Sequence, residues 1–259
     1  MKNLMMAVTA AAFLQGCSTS LFMEAEDIAL RDKIMSQMVH VAGGDYELGE
    51  SCEEDATACP ATTVAVSSFY ISKFEMTQDI FFDVVGNDVS YFRGDNMPVN
   101  HVTWQQVQYF IEQLNKRTGK NFRLPTEAEW EFAAKGGNQS QGLRFSGSNN
   151  IDDVAWYKGN AKNKAHSVGS KLPNELGLYD MTGNVGEWVQ DAYEAGYNRF
   201  ESLSDPINDI DSEHHLAYKS VRGGSFSYPP ESSKNTSRDF ASQTAMMADI
   251  GFRLVLSEE

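Results

Sequence analysis

Two cysteines separated by six residues, Cys52 and Cys59, are the first candidates for chemistry in this chain. A reactive or metal-binding thiol needs a stabilised thiolate, which close Cys-x-x-Cys spacing or neighbouring positive charge provides. Here three acidic residues lie between the two cysteines and disfavour the thiolate. The pattern therefore indicates a structural pair, either a local disulfide or two free thiols, rather than a redox centre.

The third cysteine, Cys17, lies at the end of an export signal. Lys2 is followed by the uncharged, apolar stretch 4–14 and then by the sequence Leu-Gln-Gly-Cys. A basic start, a short apolar run and a small residue before the cut are typical of a secretory signal. The run is shorter than the ~20 apolar residues of a membrane-spanning helix. Because the ending resembles a bacterial lipobox, we predict a signal peptide over 1–16 and acylation, such as palmitate, at Cys17; the alternative is a plain secretory signal.

Export bears on both the cysteine pair and the location. Secreted proteins meet an oxidising environment, so a Cys52–Cys59 disulfide is expected, with a stabilisation of roughly 2–3 kcal/mol for a loop of this size. Ser18, not aspartate, follows Cys17. In a Gram-negative lipoprotein this indicates the outer membrane, with the protein facing the periplasm or the cell surface. The lipid bilayer is then a partner through Cys17.

The balance of charge excludes one class of partner. The chain has a formal net charge of −15 at pH 7. Such a surface repels the phosphate backbone of nucleic acid, and anionic lipid headgroups equally. We therefore expect no nucleic-acid partner, whereas divalent cations are compatible with this charge.

The elements that would position functional residues begin after a tether. Residues 17–38 mix polar and apolar positions and are interpreted as a partly helical tether, with a domain over 39–259. Two short strands are predicted on either side of Gly43-Gly44, and the β-rich stretch Thr63–Ile71 is predicted to form one strand.

Three helices are marked by their ends. The first opens at Thr77 and ends at Gly86. The second starts with the capping box Thr103–Gln106, in which each side chain covers a backbone N–H of the first turn, and the third with Thr126 and Glu129. From residue 136 onward helix signals stop, and long loops rich in Gly, Asn, Ser and Asp are expected.

Seven segments, in order over about residues 39–256, together resemble the formylglycine-generating enzyme (sulfatase-modifying factor) family. The resemblance implies an α+β fold, a variant of the C-type lectin fold with short strands and helices and many long loops. It also implies that Trp130 and Trp188 are core residues. The segments are Ala42–Gly49, Phe74–Thr77, Met97–Trp104, Arg123–Glu131, Asn174–Trp188, Arg222–Ser225 and Gly251–Arg253.

The family's oxidase site uses two cysteines after Gly-Gly-Ser, since a soft metal such as copper requires thiolates. The matching positions here are Tyr228 and Ser233, or a position near Pro230 if the loop is shorter. No cysteine follows Cys59. We therefore expect no copper and no formylglycine-generating activity. Nor do the five histidines show a spaced ligand set; the adjacent pair His214-His215 is interpreted as a solvated loop, with metal binding as the alternative.

The resemblance further implies a structural calcium ion. Its ligands would be the side chains of Asp180 and Glu187 and the backbone carbonyls of Gly183 and Val185. Oxygen ligands in a loose shell suit this hard cation. The alternative is a metal-free loop in which the two carboxylates cap backbone N–H groups.

The polar loop 227–238 occupies the position of the oxidase site. Within it Tyr228, Ser233 and Arg238 are candidate ligand-binding residues, because a loop on a rigid scaffold often binds; an ordinary surface loop is the alternative. Members of this fold that lack oxidase chemistry occur in envelope and secretion complexes. We therefore predict a non-catalytic binding or assembly module, a pseudoenzyme with a protein partner in the cell envelope. The alternative is an enzyme that modifies an exported protein.

Overall fold

A computed structural model describes residues 23–51, 58–196, 200, 202–209 and 218–258. Short elements alternate with long loops, as expected for the predicted α+β fold. The helices are α1 (Ala25–Met35), α2 (Gln78–Val85), α3 (Trp104–Thr118), α4 (Glu127–Ala134) and α5 (Ile151–Val154), and short 3-10 helices cover Gly137–Gln139 and Pro230–Ser233. The strands are β1 (Met38–Val41), β2 (Gly44–Leu48), β3 (Thr62–Val66), β4 (Phe69–Ser72), β5 (Phe122–Arg123), β6 (Gly186–Ala192), β7 (Tyr218–Arg222), β8 (Arg238–Ser242), β9 (Ile250–Phe252) and β10 (Val255–Ser257).

These strands form three sheets. One sheet has the order β1-β4-β10-β5, a second pairs β2 with β3, and a third has the order β8-β7-β6-β9. All pairings are antiparallel except that of β6 with β9. In the third sheet Arg222 lies opposite Arg238, where the chain leaves β7 and returns on β8. The loop between these two strands carries the residues at the oxidase position.

The three helices predicted from the sequence are present and start at the predicted caps, and the first ends at the predicted Gly86. Both capping boxes are formed: the Thr103 side chain accepts from the backbone N–H of Gln106, and Thr126 from that of Glu129. The helices α2 and α3 end at glycines with left-handed backbone, Gly86 (φ 71°) and Gly119 (φ 65°). Glycine takes this conformation without the strain that a Cβ would add.

The stretch predicted as one strand over Thr63–Ile71 is two strands in different sheets, so that prediction was wrong. The chain changes sheet at Ser67 and Ser68. The Ser68 hydroxyl accepts from the backbone N–H of Gly43 at 3.0 Å, and the Ser67 N–H donates to Asp205 at 2.6 Å. These side-chain bonds replace the ladder bonds that a continuous strand would make, and β propensity alone does not reveal them.

The helix α1 belongs to the domain, which corrects the predicted tether over 17–38 and the boundary at 39. Leu30 and Ile34 are buried in the same apolar core as residues of α2 and α3. Arg117 of α3 also pairs with Asp27 of α1 at 2.6 Å. The scattered apolar residues of α1 gave little helical periodicity, so the sequence did not reveal its packed face.

The core has two large parts, one on each side of the third sheet. Trp188 lies in the part built with α2 and α3, and Trp130 lies in the part under α4. Both indole rings are fully buried, as predicted. No helix within the described segments is long and apolar enough to cross a membrane.

Candidate functional site

The loop that follows β7 begins with two glycines whose backbone is left-handed. Gly223 and Gly224 have φ values of 91° and 67°. A Cβ on Gly223 would lie 3.2 Å from the indole ring of Trp130. The turn therefore requires glycine, and it brings Ser225 and the residues after it to one end of the third sheet.

Five side chains at this end form two hydrogen-bonded sets, which together we call the polar cluster: Ser225, Ser227 and Asp249 in one set, and Tyr228 and Asp239 in the other. The backbone N–H of Tyr228 joins the two sets by donating to the Ser225 carbonyl at 3.1 Å. The hydroxyls of Ser225 and Ser227 donate to Asp249 Oδ2 at 2.9 and 2.6 Å. The Tyr228 hydroxyl donates to Asp239 Oδ2 at 2.5 Å. Sequence analysis identified only Tyr228 of these five residues, although Ser225 lies within the Gly-Gly-Ser motif.

The electrostatics of the polar cluster keep Tyr228 neutral. Burial raises the pKa of the Tyr228 phenol, and the hydrogen bond to Asp239 and the charge of Asp249 raise that pKa further. The phenol is therefore protonated near neutral pH. Within the described segments no lysine, arginine or histidine forms an ion pair with Asp239 or Asp249.

Ser233, the second position of the oxidase pair, lies at the end of a short 3-10 helix. Its side chain is fully buried, and its hydroxyl donates to the carbonyl of Pro229 at 3.3 Å. This burial argues against direct ligand contact by Ser233, whose binding role stays a prediction. Of the two matched positions, Tyr228 alone lies partly exposed at the surface.

Arg238 was also predicted to bind a ligand, and its burial and pairing in the structure argue against that role. Its Nε and Nη2 atoms donate to Glu127 at 2.5 and 2.8 Å, and its side chain is 3% exposed. The family spacing located the residue correctly but did not show which way it points. Arg238 is part of the core.

Arg238 belongs to a buried network that we call the arginine–glutamate core: Arg222, Arg238, Glu127 and Glu131. Arg222 pairs with Glu127 at 3.1 Å and with Glu131 at 2.5 Å. Burial alone would raise the pKa of Glu127, but the charges of Arg238 and Arg222 outweigh burial and lower that pKa. The network fixes α4 against β7 and β8 and so supports the strands that hold the polar cluster.

A second buried ion pair occupies the segment predicted to bind calcium. Arg253 donates to both carboxylate oxygens of Glu187, at 2.7 Å from Nε and 2.6 Å from Nη2. The Trp130 indole N–H also donates to Glu187 Oε2 at 2.7 Å. The charge of Glu187 is therefore already compensated by a guanidinium.

Asp180 is buried beside this pair. It has a left-handed backbone (φ 56°), and its Oδ2 accepts from the N–H of Gly169 at 2.7 Å. Its Oδ1 is buried without a hydrogen-bond partner in the described part of the chain. Burial, and secondarily the charge of Glu187, raise the pKa of Asp180 to about 6.

Sequence analysis missed Glu75, which completes this acidic group. Glu75 accepts from the side-chain amide of Asn184 at 2.6 Å and from the backbone N–H of Val185 at 3.0 Å. Burial and the charges of Asp180 and Glu187 raise its pKa well above the ordinary value. The backbone N–H of Gly183 donates to Gly223 at 2.9 Å, so this segment also braces the start of the site loop.

The predicted calcium ligands do not fit that role together. Calcium requires carboxylate charge that is free to face the ion, and Arg253 already binds both oxygens of Glu187. Across the described ranges, no three His, Cys, Asp or Glu side chains are grouped so that they could hold a metal ion. Calcium stays a prediction: Glu187 is satisfied by protein donors, whereas Asp180 Oδ1 has none in the described part of the chain.

The remaining predicted residues are distributed as follows. Cys59 is disulfide-bonded, whereas Cys17, Cys52, His214 and His215 lie outside the described residues. The Cys52–Cys59 pairing and the acylation of Cys17 stay predictions.

Comparisons with known proteins identify the family to which this fold belongs. A family model for the sulfatase-modifying factor enzyme 1-like domain matches residues 24–258. The chain is 34% identical over 234 residues to the chaperone protein LppX of Paenibacillus barcinonensis, covering 70% of this chain and 77% of that one. It is 28% identical over 253 residues to the serine/threonine-protein kinase pkn1 of Chlamydia pneumoniae, of which it spans 38%.

Among solved structures, Treponema denticola variable protein 1 superimposes with a TM-score of 0.76 and 28% sequence identity, covering 85% of this chain and 95% of that one. The family match includes α1 and all three sheets. The chain therefore belongs to the family of sulfatase-modifying factor enzyme 1-like domains.

Proposed function

We propose that this chain is a lipid-anchored, non-catalytic binding module of the cell envelope that assists a second exported protein. The observation that carries the proposal is the polar cluster at the oxidase position. There, the phenol of Tyr228 occupies one of the two positions where copper would need a thiolate, and it donates to Asp239 at 2.5 Å. Such a surface can hydrogen-bond a partner but supplies no ligand for a soft metal.

The three residues that could take part in catalysis, Tyr228, Ser233 and Arg238, also favour a non-catalytic role. Tyr228 is held neutral by burial and by Asp239, which raise its pKa. Ser233 is buried and bonded to a backbone carbonyl, and Arg238 is bound by Glu127. Only Tyr228 of the three is paired with a potential base, Asp239, and its raised pKa opposes its activation as a nucleophile.

Two further observations favour a protein partner. The relative from Paenibacillus barcinonensis is named a chaperone protein, and a chaperone acts by binding polypeptide. The buried ion pairs beneath the polar cluster, Arg222–Glu127 and Arg238–Glu127, hold it on rigid elements. Rigid positioning is what a specific binding surface requires.

Site-specific photo-crosslinking in living cells tests the binding role. A photoreactive amino acid replaces Tyr228 in one strain and, as a matched control, Tyr109 of α3, which is 57% exposed. We expect one discrete crosslinked envelope protein from position 228 and none from position 109. No adduct at 228, or the same adducts at both positions, would contradict the proposal.

The membrane anchor has a separate test. The acyl chain on Cys17 would tether the module, and Ser18 favours delivery to the outer membrane. We expect Cys17→Ser to release the folded protein from sedimented membranes into the soluble envelope fraction. Unchanged fractionation of this variant would rule out acylation as the anchor.

A further inference from the structure

An exposed apolar surface lies beside the polar cluster. Tyr91 is 68% exposed, and Met246 and Met247 are 45% and 38% exposed. The backbone N–H of His101 donates to the carbonyl of Met247 at 3.1 Å, and the rings of Tyr91 and His101 lie 6.3 Å apart. We call Tyr91, His101, Met246 and Met247 the methionine–tyrosine surface.

Aromatic contacts join this surface to the polar cluster. The Tyr91 ring meets the Phe92 ring edge-on at 4.9 Å, and Phe92 meets Phe226 at 5.3 Å. Phe226 lies in sequence between Ser225 and Ser227, whose hydroxyls bind Asp249. The apolar and acidic parts are therefore continuous, supported by packed rings rather than by a mobile loop.

The two carboxylates of the acidic part, Asp239 and Asp249, are partly exposed. Among the described residues, Asp249 accepts from two neutral hydroxyls, and Asp239 accepts from a phenol and a backbone N–H. The buried glutamates of the same sheet, by contrast, are matched by arginines. Two carboxylates without a cationic partner in the described segments, next to exposed apolar side chains, are complementary to a positive charge flanked by apolar groups.

We infer that this continuous surface binds an apolar polypeptide segment that carries a lysine or an arginine. The inference rests on the proposed function and specifies the chemistry of the partner. Methionine side chains are flexible and polarisable, so they adapt to different apolar sequences. The net charge of −15 attracts a basic segment at a distance and repels anionic lipid headgroups, so polypeptide rather than membrane is the occupant.

Defined peptides of equal length test this inference with the full chain. Fluorescence anisotropy is measured for a leucine–lysine peptide, a leucine–glutamate peptide and a serine–lysine peptide. We expect saturable binding of the leucine–lysine peptide alone, and weaker binding as salt is raised, because exposed charges are screened.

Matched variants locate the binding on the surface. Tyr91→Ser and Met247→Ser should each lower the affinity for the leucine–lysine peptide by about fivefold or more, as expected for exposed anchor residues. Asp249→Asn should weaken binding at low salt and flatten its salt dependence. Tyr109→Ser and Asp45→Asn, on exposed positions elsewhere, should bind like the original chain. Thermal unfolding of each variant verifies the fold.

Other results would overturn the inference. One is that the leucine–glutamate peptide binds as tightly as the leucine–lysine peptide. Others are that the folded Tyr91 and Met247 variants keep the original affinity, or that anionic vesicles compete with the leucine–lysine peptide for the chain. If the peptides fail but position 228 still crosslinks a partner, the partner chemistry is wrong and the binding role stands. If neither binds, the proposed function is wrong as well.

Discussion

The two sides of strand β8 use charge in opposite ways. Arg238 points inward and is bound by Glu127 at 2.5 Å, within a network that also contains Arg222 and Glu131. The next residue, Asp239, points to the other side, as alternation along a strand requires. There it accepts a hydrogen bond from Tyr228 and has no ion-pair partner in the described segments.

This difference separates stability from binding within one element. Buried charges must be paired, and removing one partner leaves the other uncompensated. The carboxylates of the polar cluster are partly exposed, so water and neutral donors stabilise them without a cation. The carboxylates of the polar cluster have no cationic partner in the described segments, so they are available to a binding partner. The arginines of the arginine–glutamate core are already paired and are not available.

Removing Arg222 should give the largest effect. Arg222→Met leaves Glu127 and Glu131 buried with one guanidinium fewer, and we expect a loss of about 3–5 kcal/mol in the free energy of unfolding. Urea denaturation measures this loss. The control Arg144→Met removes an exposed arginine that lies 4.0 Å from Glu231 and should cost less than about 1 kcal/mol. Equal losses in both variants would contradict a structural role for the arginine–glutamate core.

Asp191 should make stability depend on pH. It is buried, accepts the N–H groups of Glu127 and Asn208 at 2.8 and 2.9 Å, and has a pKa raised to about 7 by burial and by the charge of Glu127. The folded state therefore holds the proton more tightly than the unfolded state. Its contribution is fully present below about pH 4 and is lost as pH rises through about 7, on the order of 2–4 kcal/mol.

Denaturation of Asp191→Asn at several pH values measures this contribution. We expect the variant to have a flatter dependence of unfolding free energy on pH between about 4 and 7. The exposed control Asp45→Asn should keep the dependence of the original chain. A variant that still loses stability with the original slope would place the titration at another residue.

Tyr228→Phe should separate binding from folding. The substitution removes one partly exposed hydrogen bond, worth about 1 kcal/mol of stability. It also frees Asp239, so the variant should change the affinity for the leucine–lysine peptide while its melting temperature shifts only slightly. A large loss of stability without a change in peptide affinity would show that Tyr228 stabilises the fold and does not take part in binding.

Chelation should have the smallest effect. Because Arg253 compensates Glu187, the fold has its own cation at the predicted calcium segment, and EDTA should leave the melting temperature unchanged. A bound ion stabilises the folded state by mass action. A melting temperature that falls in EDTA and is restored by calcium would therefore establish a calcium site, and Arg253 would have to release Glu187.

Local signals in the sequence predicted much of the fold. The capping boxes at Thr103 and Thr126, and the glycines that end α2 and α3, are determined by neighbouring residues and appear as expected. The change of sheet at Ser67 depends on a hydrogen bond to Asp205, which lies far away in sequence. No local pattern contains such a contact.

The site was predicted in position but not in orientation. Motif spacing located Tyr228 and Arg238 at the oxidase position, but it did not show that the Arg238 side chain pairs with Glu127 or that Glu187 pairs with Arg253. Their partners, Glu127 and Arg253, lie 111 and 66 residues away in sequence. Whether a charged side chain faces a buried counter-ion or solvent is decided by this tertiary pairing.

Mass spectrometry of a single mixture tests the central claim, that this surface binds polypeptide without chemistry. The full chain is incubated in air with copper, with a thiol reductant that supplies electrons for the reduction of oxygen and prevents disulfide formation, and with a leucine–lysine peptide that contains one cysteine in a sulfatase-type context. We predict a complex in the native spectrum and a peptide of unchanged intact mass. A peptide whose mass falls by conversion of its cysteine to formylglycine, or the absence of any complex, would contradict the account.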